Sequence, residues 1–263
     1  MRTLETIIFS LILSALFISC SDNSTGPLKT FTLDTTSFKY PYTIGSSWDY
    51  KITISLSDFK PDTIAKYFQN YPLTITGTVS IVYDTVINGV TTRCFLDYEQ
   101  PSGGSSYYYR NYYLNTDTAL ILYAIRGHGE NFPDYLKHFT KSLSNVSGPG
   151  NDTLIITNAI ILKYPIQSGT EWILYGSNNT FTDKKYIDFE EITVPAGNFS
   201  CIKLQKTYSY FTNATLYDFY SKYGLMKRTT LYDDILMTTP EFPEGIGTAD
   251  MYSEDNITSY TIH

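Results

Sequence analysis

Long stretches of the chain alternate polar and apolar residues one by one, a period that fits the two faces of a β-strand and not the stripe of a helix. The runs 74–83, 107–114, 120–125, 152–163, 203–210 and 215–220 all follow it. Most are bounded by clusters of Asn, Asp, Gly or Pro, the residues that turn a chain. Aromatic content supports the same class, because 25 Tyr and 15 Phe suit a pleated surface. Two segments depart from the pattern. Pro61 to Tyr71 sets Ile64, Tyr67, Phe68 and Tyr71 on one helical stripe, and Asn131 to Leu143 does so with Phe132, Tyr135, Leu136, Phe139 and Leu143. Pro61 and Pro133 suit a first helical turn, and Asn131 can cap the second segment. The expected class is mainly β: a curved antiparallel sheet or half-barrel with one or two short helices on it.

The two tryptophans sit in matching contexts. Tyr40-Pro41, Gly45 and Trp48 recur at identical offsets as Tyr164-Pro165, Gly169 and Trp172. Each copy places Pro at the end of an extended segment, Gly in a turn and Trp at the first inward position of a strand. Further on, Asn88-Gly89 before Cys94 parallels Ala196-Gly197 before Cys201, with a one-residue difference in spacing; both read as a hairpin turn leading into a strand. A duplicated unit is expected, with a first β-rich half over 40–150 and a second over 151–263, the two either separate or continuous in one domain.

Ahead of the body, Arg2 and the α-amino group precede a twelve-residue apolar stretch, Ile7 to Ile18. A membrane-spanning helix needs roughly 20 residues, so the stretch reads as a cleavable leader. It closes on Phe17-Ile18-Ser19-Cys20, which resembles the lipobox of bacterial lipoproteins, with Phe17 where that family usually has Leu. The resemblance implies a signal peptide over 1–19 and acylation of the Cys20 thiol. Several acyl chains would make the anchoring stable, where one alone is marginal. The polar run Ser21 to Pro27 opens a tether over 20–39. By resemblance to the sorting rule of Gram-negative lipoproteins, Ser21 favours the outer membrane.

The lipobox, the Tyr-Pro-x-x-x-Gly-x-x-Trp motif, Val194-Pro195-Ala196-Gly197-Asn198-Phe199-Ser200-Cys201 and Tyr220-Ser221-Lys222-Tyr223-Gly224-Leu225-Met226-Lys227 together resemble envelope lipoproteins of Bacteroidota. These are similar to LolA-like half-barrel lipoproteins, whose curved sheet cradles an acyl chain. The likeness covers roughly residues 160–230 well, and its motifs are structural. It implies a fold and an envelope location more than an activity.

Catalytic and cofactor signatures are weak throughout. His128, His138 and His263 lack the close spacing of a zinc pair; no Gly-x-Ser-x-Gly occurs; and adjacent carboxylates such as Glu190-Glu191 point to opposite faces of a strand. The expectation is no enzyme, no cofactor and no metal site. A net charge of −7 without a basic run excludes a nucleic-acid binder. Cys94 and Cys201 either pair in an oxidising compartment or sit as small core residues of their own halves. In the run from Tyr107 to Tyr113, residues Tyr107, Tyr109 and Tyr113 share one face, readable as an aromatic binding surface or as edge packing. Five Asp-Thr pairs put Thr35, Thr63, Thr85, Thr118 and Thr153 in a pattern that resembles O-glycosylation acceptors of Bacteroidota envelope proteins; Asp-Thr also simply ends turns. The expected role is an outer-membrane-anchored lipoprotein that binds an apolar ligand or an envelope partner. The alternative is a surface glycan binder using exposed tyrosines.

Overall fold

The fold follows a simple rule: nearly every strand pairs with its neighbours in sequence, and the first and last strands meet in the middle. A computed structural model describes residues 34–101, 106–128, 154–175, 181–209 and 211–263. The leader, Cys20 and the expected helix at 131–143 lie outside them. Thr32–His263 forms one compact unit. Twelve strands make one antiparallel sheet: β1 Ser47–Lys60, β2 Leu73–Ile87, β3 Val90–Pro101, β4 Tyr107–Asn115, β5 Ala119–His128, β6 Leu154–Lys163, β7 Glu171–Tyr175, β8 Phe181–Val194, β9 Gly197–Tyr208, β10 Phe211–Ser221, β11 Gly224–Thr239 and β12 Phe242–Thr261. Their order is β6-β5-β4-β3-β2-β1-β12-β11-β10-β9-β8-β7. Two six-stranded meanders are thus zipped together by β1 and β12, in a register running from Ser47↔Thr261 to Lys60↔Thr248.

The sheet curls until its edges, β6 and β7, face one another, as the expected curved sheet requires. No ladder joins these two strands. Side chains span the seam instead. Trp172 Nε1 donates to Ile160 O at 3.0 Å, Lys184 Nζ donates to the same carbonyl at 3.2 Å, and the Tyr186 hydroxyl donates to Lys163 O at 2.9 Å and accepts from Lys163 N at 3.0 Å. These bonds satisfy an edge that would otherwise present bare amides and carbonyls.

Turn chemistry accounts for the hairpins. Asn88 and Gly89 adopt φ of 50° and 79°, the doubly positive pair of a type I′ turn between β2 and β3. Gly224, at φ 116°, opens β11 against Trp48, whose indole N–H donates to Tyr223 O at 2.5 Å. A Cβ at Gly224 would stand 2.6 Å from Trp48 Nε1. Gly224→Ala is therefore expected to cost about 1–3 kcal/mol through overpacking and backbone strain, seen as a lower urea midpoint at unchanged slope.

Both ends of the barrel are stoppered from inside. Residues 34–46, which lead into β1, lay Phe38 and Tyr40 into the main core beside Trp48 and Phe95. Hydrogen bonds from Asn115 Nδ2 to Tyr40 O (3.1 Å) and from Tyr40 N to the Tyr164 hydroxyl (3.1 Å) hold them. The packed body therefore already includes Phe38, within the segment expected to be tether. Beyond the far end of β1, Asp62–Tyr67 forms a 3-10 helix whose Ile64 packs with Phe68, Met237 and Ala249. The longer stripe expected over 61–71 is realised only as this short 3-10 helix, because the backbone already leaves helical geometry at Phe68, with φ −122° and ψ 33°; Tyr67 is left exposed.

Candidate functional site

Between the two stoppers the barrel is hollow. A cavity of about 200 Å³ is lined by residues from ten strands, all but β7 and β8, together with Tyr40. A second lobe of about 150 Å³ continues it, and the two share Ile52, Glu99, Arg228 and Asp255. Space exists partly because Gly77 stands opposite Tyr50 on the inner face of β2, where a side chain would otherwise fill it.

The lining is charged. Asp218 on β10, fully buried, accepts from Arg228 Nε at 2.6 Å and from the Tyr220 hydroxyl at 3.1 Å, and forms an ion pair with Lys206 of β9. Burial alone would raise its pKa, but the two cations outweigh burial and hold the carboxyl well below the usual carboxylate range. Lys206 is pulled down by burial, partly offset by Asp218. Arg228 keeps 35% of its side-chain surface facing the cavity.

Asp97 and Glu99 of β3 and Asp255 of β12 complete the charged lining, Asp255 standing directly opposite Arg228 in the β11–β12 register. Burial first, then the neighbouring Glu99, pushes Asp97 up to about 7. Asp255 rises to about 6, again chiefly through burial, with Arg228 opposing. Asp255 accepts from Ser253 Oγ at 3.4 Å, whereas among the described residues none hydrogen-bonds to Asp97. At the seam, burial and then Lys206 push Lys184 down to about 7. Burial keeps Tyr40, Tyr113 and Tyr220 above the ordinary phenol range, so their rings are neutral. Among the described residues, no three His, Cys, Asp or Glu side chains converge closely enough to hold a metal ion.

The residues singled out from sequence fall mostly elsewhere. Cys94 and Cys201 are both free and buried, which is the second of the two readings and not the bridge; Cys94 packs with Ile87, Tyr112 and Ala124, and Cys201 belongs to the main cluster. Each thiol is a small core residue, and burial raises both pKa values. Of the tyrosine row, Tyr113 and Tyr109 stand on the inner face. Tyr113 lines the cavity with Asn111 and meets Phe95 edge-on at 4.6 Å between ring centroids, and strand alternation puts half-buried Tyr109 on the same inner face. For Tyr107 only the backbone, in β4, is described. Thr63 and Thr118 are exposed, Thr35 and Thr85 are half-buried, and Thr153 lies outside the described residues. Asp34 accepts from Thr36 N at 3.1 Å and from the Ser37 hydroxyl at 2.5 Å, the turn role open to an Asp-Thr pair.

Sequence reasoning missed Asp97, Lys206, Asp218, Arg228 and Asp255. A signal was present: each stands on the inward phase of its strand, Asp97 two residues after Phe95, Lys206 two after Leu204, Asp255 two before Ile257. Charges on the buried phase are costly unless compensated, and that is the mark of a site.

Neither a protein-family model nor a curated protein sequence matches the chain. Solved structures show similarity, two of them by likeness alone. One is a candidate exported protein with a YmcC-like fold from Bacteroides fragilis, at 11% identity and TM-score 0.36, covering 85% of this chain and 99% of the other. The second is a candidate lipoprotein from Parabacteroides distasonis, at 12% identity and TM-score 0.34, covering 85% and 98% respectively.

Proposed function

We propose that this chain is a lipid-anchored protein of the bacterial cell envelope that acts by binding, holding a small polar ligand inside its barrel while acyl chains on Cys20 keep it at the outer membrane. The observation that carries the binding role is the hollow interior itself, lined by Asp97, which accepts no hydrogen bond among the described residues. The expected apolar ligand fits this interior poorly, since an apolar body pressed against Asp97, Glu99, Asp255 and Arg228 would strip them of water and offer nothing in return. Each lobe by itself, at about 200 and about 150 Å³, is small beside the roughly 300–1,000 Å³ of drug-sized sites. A binder is favoured over an enzyme because the tyrosines around Asp97 are held as neutral phenols, leaving no activated nucleophile beside it among the described residues.

The test is native mass spectrometry of protein purified from the membranes of its own host. The mature chain is expected to begin at Cys20 and to carry the mass of its acyl chains, with a small molecule bound. Gly77→Val should abolish the bound mass by filling the cavity. Its new Cβ meets only ordinary contacts, at 3.7 Å from Ile52 and Tyr98, so the barrel is expected to fold. An amino terminus elsewhere would overturn the anchor, and ligand retained in Gly77→Val would overturn the cavity as the site.

A further inference from the structure

Most polar groups around the hollow interior already have partners. Lys206 and Arg228 both pair with Asp218, Lys184 donates to the Ile160 and Ile161 carbonyls, and Asp255 accepts from Ser253. The Tyr50 hydroxyl donates to Leu225 O, the Tyr220 hydroxyl donates to Asp218, and Glu99 has an interaction of its own. Three side chains of the larger lobe make no hydrogen bond among the described residues: the Asp97 carboxyl, the Asn111 amide and the Tyr113 hydroxyl. They stand on adjacent strands. Asn111 lies opposite Phe95 and Tyr113 opposite Arg93 in the β3–β4 register, so Asp97, two residues on from Phe95, shares their inner face. A diagonal pair such as Asp97 and Asn111 is about 7–8 Å apart, close enough for one small molecule to touch both. Burial, and next the Asp97 charge, keep the Tyr113 phenol in its neutral, donating form.

We propose that the larger lobe binds a neutral, hydroxyl-rich molecule of about the size of one sugar ring, with its hydroxyls bonded to Asp97, Asn111 and Tyr113; this rests on the binding function proposed above. Polar groups inside a protein are costly to leave without partners, and such a ligand supplies all three at once. A hydroxyl both donates and accepts, so it serves a carboxyl, an amide and a phenol alike. It also serves Asp97 in either protonation state, and burial pushes that carboxyl up to about 7, where both occur. A charged ligand has no such match. Lys184, Lys206 and Arg228 are bonded already, and the lining mixes both signs, with Asp255 opposite Arg228. A metal ion needs converging ligands, and among the described residues none converge. All three groups line the larger lobe and none lines the smaller, so about 200 Å³ sets the size of the ligand.

Substitutions at these positions separate hydrogen bonding from charge. Asp97→Asn removes the charge but keeps a polar group of the same shape, to which a hydroxyl can still bond. Tyr113→Phe and Asn111→Leu each remove one partner of the ligand. Neither side chain hydrogen-bonds to a described residue, so the barrel keeps its own bonds in both variants.

Isothermal titration of the detergent-solubilised full chain tests this, with D-glucose, D-galactose, D-mannose and myo-inositol as neutral probes and choline and phosphate as charged ones. At least one neutral probe is expected to bind one to one, about tenfold or more tighter than either charged probe. Tyr113→Phe and Asn111→Leu should each weaken it about tenfold, while Asp97→Asn stays within about threefold of wild type. The assignment is overturned if none of the four neutral probes binds at about 10 mM, if a charged probe binds more tightly, or if neither Tyr113→Phe nor Asn111→Leu changes the affinity. A loss in Asp97→Asn larger than in those two variants would make charge the determinant and overturn it as well. The binding function is read separately. A charged ligand that co-purifies and is lost in Gly77→Val overturns the hydroxylated class alone, whereas ligand retained in Gly77→Val overturns the cavity as the site.

Discussion

Asp218→Asn will destabilise the barrel by about 3–5 kcal/mol, the cost of removing one partner from a buried ionic group. Asp218 has no exposed surface, and Lys206 and Arg228 both converge on it from neighbouring strands. Without the carboxylate, two like charges share one wall of the cavity. A chain of this size loses about 2–4 °C in Tm per kcal/mol, so thermal unfolding should move down by roughly 6–20 °C. The double variant Asp218→Asn with Lys206→Met should recover part of the loss, because the second change removes a charge that the first stranded. A drop below about 1 kcal/mol would mean that cavity water solvates these cations well enough to replace the carboxylate.

Stability should pass through a minimum near neutral pH. Asp97 and Asp255 hold their protons up to about 7 and about 6 in the folded barrel, against 3.8 ordinarily. Between about 4 and about 7 the native state thus binds protons that the unfolded chain has released, and stability falls as pH rises. Lys184 works on the other side. It loses its proton near 7 when folded but near 10.5 when unfolded, so from neutral pH upward the unfolded chain binds more protons and stability rises. Urea midpoints at about pH 5, 7 and 9 should therefore be lowest at the middle value. Asp97→Asn should raise the neutral midpoint and leave the acid one nearly unchanged, and Lys184→Met should flatten the alkaline limb. A midpoint that climbs steadily from acid to neutral would show that the interior carboxyls titrate as exposed ones do.

Much of the fold was legible because its strands obey local rules. Alternation located β2, β4, β5, β6, β9 and β10, and the Asn88-Gly89 turn fixed one hairpin. The matched Gly-to-Trp offsets end at the second residue of β1 and of β7. β12 was not legible. Its sequence, from Phe242 to Thr261, is rich in Gly, Glu, Asp and Ser, and what makes it a strand is pairing on both sides, with β1 and β11, which no local pattern reports. The division between the halves also shifted. β6 belongs by pairing with β5, so the sheet parts between Lys163 and Glu171 and not near residue 150. The interior charges were overlooked for a related reason. Asp97 and Asp218 look like ordinary breaks in an apolar run until the phase of each strand is fixed by its neighbours.

The pairing of β1 with β12 sets an order of assembly. Residues at opposite ends of the chain, such as Ser47 and Thr261, must find each other across more than two hundred intervening positions, a separation that slows folding. Until the last strand arrives, β1 offers a bare edge ready to pair with another molecule. A chain that lacked Phe242–Thr261 would therefore lose the middle of its sheet and be left as two open curls, each inclined to aggregate; this strand acts as the closing zip of the whole barrel.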